Sequence, residues 1–471
     1  MVILKEKILL LNPPGKKLYI RDYYCSKVSQ ANYINHPIDL LLQSGYLSQQ
    51  YEIRLIDAIV KKMNREECLK EIENSGAKII LSLTGAVSWE EDIEFFRELK
   101  KSGQYRIILT GDIIREEGQE KLKAHPEIEA LLLNFSTDDL LRYLTGCQHE
   151  VRNIIFRDGE SVNETPLLTP PANREYNIPI PRHELFLKLN YRHPFVRQRY
   201  FTTILTDFGC PFKCSFCIMG TLGFKFRSVE NVLSELSYIH SLGIRELLFL
   251  DQSFGAVKER NQELCRQMIN RDLIFGWLCF SRADLIDKTT LNLMKQAGCH
   301  TIILGVESGS EEILSKYRKG YTKEQVKETF KLCRQIGIKT VGTFIIGLPE
   351  ETEVTARETL EFIKDLTCDF ASFNVAVPRR GTEIRSQALE EGLINNDFDI
   401  MDQSGTTIAM STKYLSREQV LAIRRQAVCT FYLRPSYILR RIKSIDSYFR
   451  LANLIYQGLS MLKRTWLEKI K

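Results

Sequence analysis

Three cysteines within eight residues constrain this chain more than any other feature. Cys210, Cys214 and Cys217 are spaced C-x3-C-x2-C, and the first of them lies in a Gly-Cys-Pro turn. A run this short does not easily pair its own thiols, but it can wrap three thiolates around one small inorganic centre. A cubane iron–sulfur cluster has four irons, so one of them would stay open to a ligand that is not protein. Three buried cysteines in a tight loop are the weaker interpretation of this spacing.

The composition is that of an ordinary globular protein. Of 471 residues, 44% are hydrophobic and 26% are charged, and no apolar run approaches a membrane-spanning helix of roughly 20 residues. The chain has twelve cysteines, but outside the triplet they are scattered and form no even framework. This usage favours a reducing compartment. The N-terminus passes straight into a strand-like pattern without the layout of a signal peptide, so we expect a cytoplasmic protein.

Residues 1–146 alternate short β-branched runs with amphipathic helical stretches. This alternation predicts an α/β domain with a doubly wound, five-stranded parallel sheet. The strand candidates are Lys7–Asn12, Glu52–Asp57, Lys78–Leu83, Arg106–Thr110 and Ile128–Leu133. Ligands of such sheets bind beyond the carboxyl ends of the strands. At those ends the chain carries Asn12, Pro13, Thr84, Gly85, Thr110 and Gly111.

The same alternation returns after a connecting region. Residues 147–195 contain a predicted hairpin and a proline-rich strap, and we expect them to link two domains. Residues 196–411 contain six strand candidates with helical patterns between them: Phe201–Thr206, Glu246–Leu250, Gly276–Phe280, Thr301–Val306, Thr340–Ile346 and Phe370–Val377. Six β/α units are two short of a closed barrel, so we predict a partial (β/α)6 barrel with its working residues at the carboxyl strand ends.

The cysteine spacing resembles the cluster loop of the radical S-adenosylmethionine (SAM) enzymes, where the open iron takes the amino and carboxylate groups of SAM. A Gly-Val-Glu-Ser-Gly run at 305–309 strengthens the resemblance. It implies a 4Fe–4S cluster on the three cysteines and SAM contacts from Asp251, Arg282, Glu307, Ser308, Ile345 and Gly347. Asp251 is expected at the SAM amino group and Arg282 at its carboxylate, because a planar guanidinium matches a planar anion. Glu307 is expected at the ribose hydroxyls or the ammonium, and the backbone around Ile345 and Gly347 beside the adenine.

The opening Leu-Leu-Leu-Asn-Pro-Pro and the five-strand layout resemble the cobalamin-binding domain that precedes many radical SAM cores. The resemblance implies cobalamin at the strand ends 12–15, 84–86 and 110–112, with no histidine on the cobalt. The sequence departs from the family pattern in two places. It lacks an Asp-x-His-x-x-Gly run, and it reads Thr-Gly-Asp-Ile at 110–113, where relatives commonly have Gly-Gly-Pro-His. A flavodoxin-like domain that has lost this cofactor, or binds another, is the alternative.

Together the resemblances imply a cobalamin-dependent radical SAM methyltransferase. Such an enzyme splits SAM reductively at the cluster and methylates an unactivated carbon of a small-molecule or lipid substrate. One alternative keeps the radical step without methyl transfer, as in an oxidation, a cyclisation or a rearrangement. Another is an iron–sulfur electron-transfer or sensor protein, which would have no use for SAM-binding residues. The expected partners are the substrate and an external electron donor such as flavodoxin or ferredoxin, with no nucleic acid.

Positive charge is concentrated in the C-terminal segment. The chain carries a formal net charge of +6, yet residues 412–471 alone hold thirteen basic and three acidic side chains. From Arg434 onward, apolar and basic residues alternate at helical spacing, which suits a helix lying on anionic lipid at the inner membrane face. The alternative is a helix packed across the open barrel with its arginines in solvent.

Overall fold

A computed structural model describes residues 5–439, with gaps at 30–32, 148–150, 167–173, 399, 404, 406–407 and 436. These residues form two large α/β sheets, two small sheets and the helices around them. No helix in the described ranges is long and apolar enough to cross a membrane.

The N-terminal sheet contains the five predicted parallel strands: Lys7–Asn12, Glu52–Asp57, Ile79–Leu83, Arg106–Thr110 and Ala130–Leu132. The second strand lies at one edge, beside the first, and the others follow in chain order. Two antiparallel strands, Ile154–Asp158 and Ser161–Glu164, extend the other edge. The hairpin was predicted to lie in the linker between the domains. It instead belongs to the N-terminal sheet, which therefore continues past residue 146.

Buried apolar runs build this sheet. Every residue from Ile8 to Leu11 is fully buried, as expected for a parallel strand covered by helices on both faces. The helices of this domain are Ile38–Leu47, Ala58–Lys61, Arg65–Ser75, Trp89–Ser102, Ile114–Ala124 and Asp139–Leu144.

The second large sheet is the predicted partial barrel. Its six strands are all parallel and lie in chain order: Thr202–Ile204, Glu246–Phe249, Gly276–Ser281, Cys299–Glu307, Lys339–Ile346 and Phe370–Val375. Its helices are Val229–Ser241, Lys258–Asn270, Lys288–Gln296, Glu311–Lys316, Lys323–Ile336, Glu353–Asp365 and Glu383–Glu390. Short 3-10 turns lie at His183–Leu185, Ile218–Thr221 and Ala283–Leu285. Among these strands the first and the sixth do not pair, so the barrel is open.

A small sheet anchors the segment that carries the cysteines. Phe224–Arg227 is its central strand, with Arg174–Tyr176 on one side and Asp207–Gly209 on the other. The chain leaves this sheet at Gly209 and returns to it at Phe224, because these two residues pair directly. Both ends of residues 210–223 are therefore fixed by backbone hydrogen bonds.

A short two-stranded segment covers the carboxyl ends of the N-terminal strands. It contains the strands Tyr19–Ile20 and Lys27–Val28, and we call residues 19–28 the covering segment. Nη2 of Arg21 in this segment lies 2.6 Å from Oδ1 of Asp92, and both side chains are completely buried. Nη1 of Arg21 also donates to Oδ1 of Asn12 and to the carbonyl of Pro13, both at 2.9 Å.

The carboxyl ends of the two large sheets face each other. Asp112, just past the fourth N-terminal strand, accepts hydrogen bonds from the backbone N–H and the hydroxyl of Ser26 at 2.7 and 2.8 Å. The guanidinium of Arg379, beyond the sixth barrel strand, lies 3.5 Å from the same carboxylate oxygen and donates to the carbonyl of Met401 at 2.9 Å. The covering segment therefore lies where the two domains meet.

The C-terminal helix Arg417–Tyr432 packs on the barrel. It contacts the helix Glu353–Asp365, and the hydroxyl of Tyr432 donates to the carbonyl of Ala371 in the sixth strand at 2.6 Å. The predicted lipid-facing residues beyond 439 lie outside the described residues, so the membrane interpretation stays a prediction for them.

Replacing Arg21 by Met should lower the free energy of unfolding by about 3–5 kcal/mol, because the Asp92 carboxylate would stay buried without its partner. Urea-induced unfolding followed by circular dichroism measures the loss. Arg65→Met is the control, since the pair of Arg65 with Glu94 is exposed and its removal should change stability little. Equal losses in the two variants would contradict a structural role for the buried pair.

Candidate active site

The three cysteines lie on one loop, residues 210–217, which we call the cysteine loop. Gly209 precedes it with a φ of +74°, and a Cβ at this position would lie 1.9 Å from the carbonyl oxygen of Gly223. Glycine is therefore required where the strand turns into the loop. Cys214 is buried, Cys210 and Cys217 are half-buried, and all three are free thiols.

Three thiols are the donor set that a 4Fe–4S cluster with one open iron would use. Among the described residues, no three His, Cys, Asp or Glu side chains converge on one ion. A 4Fe–4S cubane binds each thiolate through a different iron, so its ligands surround a volume instead of a point. Burial raises the pKa of the Cys214 thiol, and it raises that of Cys217 to about 12. Iron would supply the positive charge that deprotonates them.

The guanidinium of Arg282 lies beside the cysteine loop. Its Nη1 is 3.6 Å from Sγ of Cys214, and its central carbon is 3.8 Å from the ring centroid of Phe212. Asp284 accepts hydrogen bonds from Nε and Nη2 at 3.0 and 2.9 Å. Arg282 is buried, and its positive charge lies next to the Cys214 thiol. The SAM carboxylate is expected at this position.

Glu307 ends the fourth barrel strand with a φ of +66°. A residue other than glycine is strained in this region, and such strain is common at functional sites. Oε1 of Glu307 accepts a hydrogen bond from Nζ of Lys319 at 2.7 Å, and both side chains are buried. The neighbouring Ser308 uses its hydroxyl in the local turn, 3.1 Å from Oγ1 of Thr359 and 3.1 Å from the backbone N–H of Ser310. Ser308 therefore bonds within its own turn and to Thr359, whereas the carboxylate of Glu307 bonds Lys319.

Asp251 is held inside the protein. Its Oδ1 accepts from the backbone N–H groups of Thr206 and Asp207 at 2.6 and 2.8 Å, and its Oδ2 accepts from the Thr206 hydroxyl at 2.6 Å. The residue is 0% exposed. In this arrangement Asp251 fastens the end of the first barrel strand, so a contact with the SAM amino group would require these bonds to rearrange.

Ile345 and Gly347 lie at the end of the fifth strand. Ile345 is half-buried, and Gly347 has a φ of +87°. The backbone N–H of Gly347 donates to Oε2 of Glu351 at 2.6 Å. Burial raises the pKa of Glu351 to about 7. This carboxyl was missed by the sequence analysis, and it holds the turn that is expected beside the adenine.

The six residues predicted to hold cobalamin lie at the carboxyl ends of the first, third and fourth N-terminal strands: Asn12, Pro13, Thr84, Gly85, Thr110 and Gly111. The three polar ones among them are buried, and a Cβ on Gly85 would lie 2.6 Å from Cβ of Ser26. The hydroxyl of Thr110 is buried without a hydrogen-bond partner. In this structure the covering segment lies against three of the six, because Arg21 donates to Asn12 and Pro13 and Ser26 lies against Gly85.

Known proteins resemble this chain most clearly in the barrel and the cysteine loop. Residues 204–363 match the sequence profile of the radical SAM superfamily. This segment, which includes the cysteine loop and most of the barrel strands, is therefore a radical SAM domain. An uncharacterized methyltransferase of Pyrococcus horikoshii is 28% identical to the chain over 451 residues, which cover 93% of this chain and 94% of that protein. An anaerobic magnesium-protoporphyrin IX monomethyl ester cyclase of Cereibacter sphaeroides is 25% identical over 331 residues, covering 69% of this chain and 52% of that enzyme.

The chain also shares its overall fold with a solved methyltransferase. TsrM from Kitasatospora setae, with cobalamin and a 4Fe–4S cluster bound, has a TM-score of 0.68 to it at 14% identity, covering 98% of this chain and 100% of that chain. TsrM has also been solved with a tryptophan substrate and a SAM analogue bound. At this identity the likeness establishes the fold, an α/β domain followed by a radical SAM barrel.

One group of residues at this site was not predicted from the sequence. Lys319 and Tyr321 lie within a Lys-Gly-Tyr run, and both are buried beside Glu307 and Arg282. Such a run between two helices reads as an ordinary turn, and nothing in its spacing points to SAM. Lys319 and Tyr321 lie at this site because the fold brings the turn against Glu307 and Arg282.

Replacing Cys210, Cys214 and Cys217 together by Ala should abolish cluster binding, because the three thiolate ligands are removed. Iron and acid-labile sulfide would be measured after anaerobic reconstitution. Cys429→Ala removes an exposed thiol on the C-terminal helix and should keep the full cluster. A triple variant that still binds a complete cluster would show that the ligands lie elsewhere.

Replacing Arg282 by Gln should weaken SAM binding by about 1.5–3 kcal/mol, the range for a lost charge-assisted hydrogen bond. Equilibrium dialysis of the reconstituted protein with labelled SAM measures this loss. Arg266→Gln is the matched control, because Arg266 is exposed and pairs with Glu263 on its own helix. Unchanged affinity in Arg282→Gln, with the cluster intact, would remove Arg282 from the SAM site.

Proposed function

We propose that this radical SAM enzyme cleaves SAM reductively at a 4Fe–4S cluster held by Cys210, Cys214 and Cys217. The observation that carries the proposal is the buried guanidinium of Arg282, 3.6 Å from Sγ of Cys214. An ion pair with Asp284 that only stabilised the fold would not require the Arg282 guanidinium to lie beside the thiols. An anionic ligand at the open iron would need a cation there, and Nη1, which does not bond Asp284, is the nitrogen that would donate to it.

The residues around the cysteine loop would bind and orient SAM. When bound, the reduced cluster supplies the single electron that splits SAM. Arg282 would hold the carboxylate and Glu307 the ribose hydroxyls or the ammonium, while the backbone at Ile345 and Gly347 would flank the adenine. Asp251 would act at the amino group only after release from Thr206.

Aromatic side chains shield this centre from water. The ring of Phe212 lies against the Arg282 guanidinium. The buried ring of Tyr321 has its centroid 5.1 Å from the central carbon of the same guanidinium. The ring of Phe216 lies 5.7 Å from Nζ of Lys319. Such walls exclude water and oxygen and strengthen the electrostatic contacts inside. A sensor or electron-transfer protein would not need buried charges aimed at a small ligand.

We further propose that the enzyme methylates an unactivated carbon of a small-molecule or lipid substrate, with cobalamin as the methyl carrier. Two likenesses support this: the methyltransferase of Pyrococcus horikoshii, which matches nearly end to end, and the fold of TsrM. Binding at the predicted strand ends would require the covering segment to move, since Arg21 and Ser26 fill that space here.

The second candidate function is radical SAM chemistry without methyl transfer, such as an oxidation, a cyclisation or a rearrangement. The covering segment favours it, because Arg21 and Ser26 lie against three of the six predicted cobalamin residues, Asn12, Pro13 and Gly85. The likeness to an anaerobic cyclase is a second support. In either case an external one-electron donor such as flavodoxin or ferredoxin is required, and we expect the enzyme to work in the cytoplasm.

If methyl transfer is correct, each turnover consumes two SAM molecules, one cleaved reductively and one used as the methyl donor. Deoxyadenosine and S-adenosylhomocysteine should then form in roughly equal amounts when hydroxocobalamin is supplied. Anaerobic reactions in a substrate-containing extract, with cobalamin present or omitted, would be analysed by chromatography and mass spectrometry. Deoxyadenosine without S-adenosylhomocysteine, and no product heavier by one methyl group, would assign the enzyme to the second candidate function.

A further inference from the structure

One turn contacts the cysteine loop, Arg282 and the strand that carries Glu307. Residues 317–321, which we call the linking turn, follow the helix Glu311–Lys316. The carbonyl of Tyr317 accepts a hydrogen bond from the backbone N–H of Ser215 in the cysteine loop at 3.3 Å. At the other end, the hydroxyl of Tyr321 donates to the carbonyl of Gly305 on the fourth barrel strand. The linking turn therefore joins the cysteine loop to the strand that carries Glu307.

The side chain of Lys319, in the middle of this turn, holds Glu307. Nζ of Lys319 lies 2.7 Å from Oε1 of Glu307, and the lysine is 6% exposed. A Cβ on Gly305 would lie 2.4 Å from Oε1 of Glu307 and 3.0 Å from Nζ of Lys319, so a glycine leaves room for the pair. Burying an ammonium is costly unless a carboxylate compensates it. The two side chains therefore fix each other's position.

The backbone of Lys319 holds Arg282. Its carbonyl accepts a hydrogen bond from Nη2 of Arg282 at 2.6 Å, in addition to the bond from Nη2 to Asp284. Gly320 follows with a φ of +80°, and a Cβ there would lie 3.6 Å from the same Nη2. Lys319 is thus the residue that contacts both Glu307, through its ammonium, and Arg282, through its carbonyl.

The ammonium of Lys319 also places positive charge near the cysteine loop. It lies 5.7 Å from the ring of Phe216, which is next to Cys217 in the chain. Electrostatic interactions are strong in a buried site because the effective dielectric constant is low. A cluster gains negative charge when it is reduced, so a nearby cation favours the reduced state.

We propose that Lys319 is a positioning residue for SAM cleavage, orienting Glu307 and Arg282 toward SAM and favouring the reduced state of the cluster. The inference rests on the proposed function, because it requires both the cluster and SAM. Without the ammonium, Glu307 would keep a buried negative charge with no cation paired to it. That charge would oppose the entry of an electron and would leave the carboxylate free to turn away from SAM.

The test compares full-length wild type, Lys319→Met and Lys319→Arg after anaerobic reconstitution. A redox titration followed by electron paramagnetic resonance gives the midpoint potential of the cluster, and equilibrium dialysis gives the SAM affinity. Lys319→Met should keep iron and sulfide, bind SAM about tenfold more weakly and have a lower midpoint potential. Lys319→Arg retains the charge and should recover the potential, but its planar group should restore SAM affinity only in part.

Lys316→Met is the matched control, because Lys316 is exposed, lies three residues earlier and pairs with Glu350. It should behave as wild type in both measurements. If Lys319→Met does not hold the cluster, Lys319→Gln replaces it, since glutamine removes the charge and keeps a donor. An uncharged variant with the wild-type potential and SAM affinity would overturn the inference. Wild type that binds no cluster or no SAM would instead overturn the proposed function.

Discussion

The ion pair between Lys319 and Glu307 lies at the carboxyl end of the barrel, where little water reaches either charge. Each charge is tolerated because the other is 2.7 Å away. Glu307 carries this pair on a strained backbone, and the carbonyl of Lys319 accepts a hydrogen bond from Arg282. The cysteine loop is bound to the same turn by a backbone hydrogen bond to Tyr317, so thiols and charges are held as one unit.

The N-terminal domain uses buried charge in a different way. Arg21 and Asp92 are both removed from solvent, and their pairing secures the covering segment over the strand ends. Asp112 extends this network to Arg379 of the barrel. The edge where a doubly wound sheet ordinarily binds its ligand is therefore also an interface between domains. Any cofactor that enters here must compete with contacts that stabilise the fold.

Much of the fold could be predicted because the signals are local. The five parallel strands and the six barrel strands follow from apolar runs that alternate with helical periods, and their parallel order follows from the helices between them. The partners of the hairpin Ile154–Asp158 and Ser161–Glu164 and of the strand Arg174–Tyr176 could not be predicted. A short strand pairs with whichever edge is near it in space, and the sequence does not record that distance.

The sequence by itself determined the chemistry that the site can perform: three thiols at cluster spacing and, behind them, Arg282 and Glu307 at successive strand ends. Residue type and spacing along a strand are local properties, so they can be read directly. The tertiary structure decided which of these groups are available. Asp251 is bonded to Thr206, just past the first barrel strand, and Lys319 lies in a turn with no motif of its own. Availability depends on contacts between residues far apart in the chain, and only the packed fold brings them within hydrogen-bonding distance.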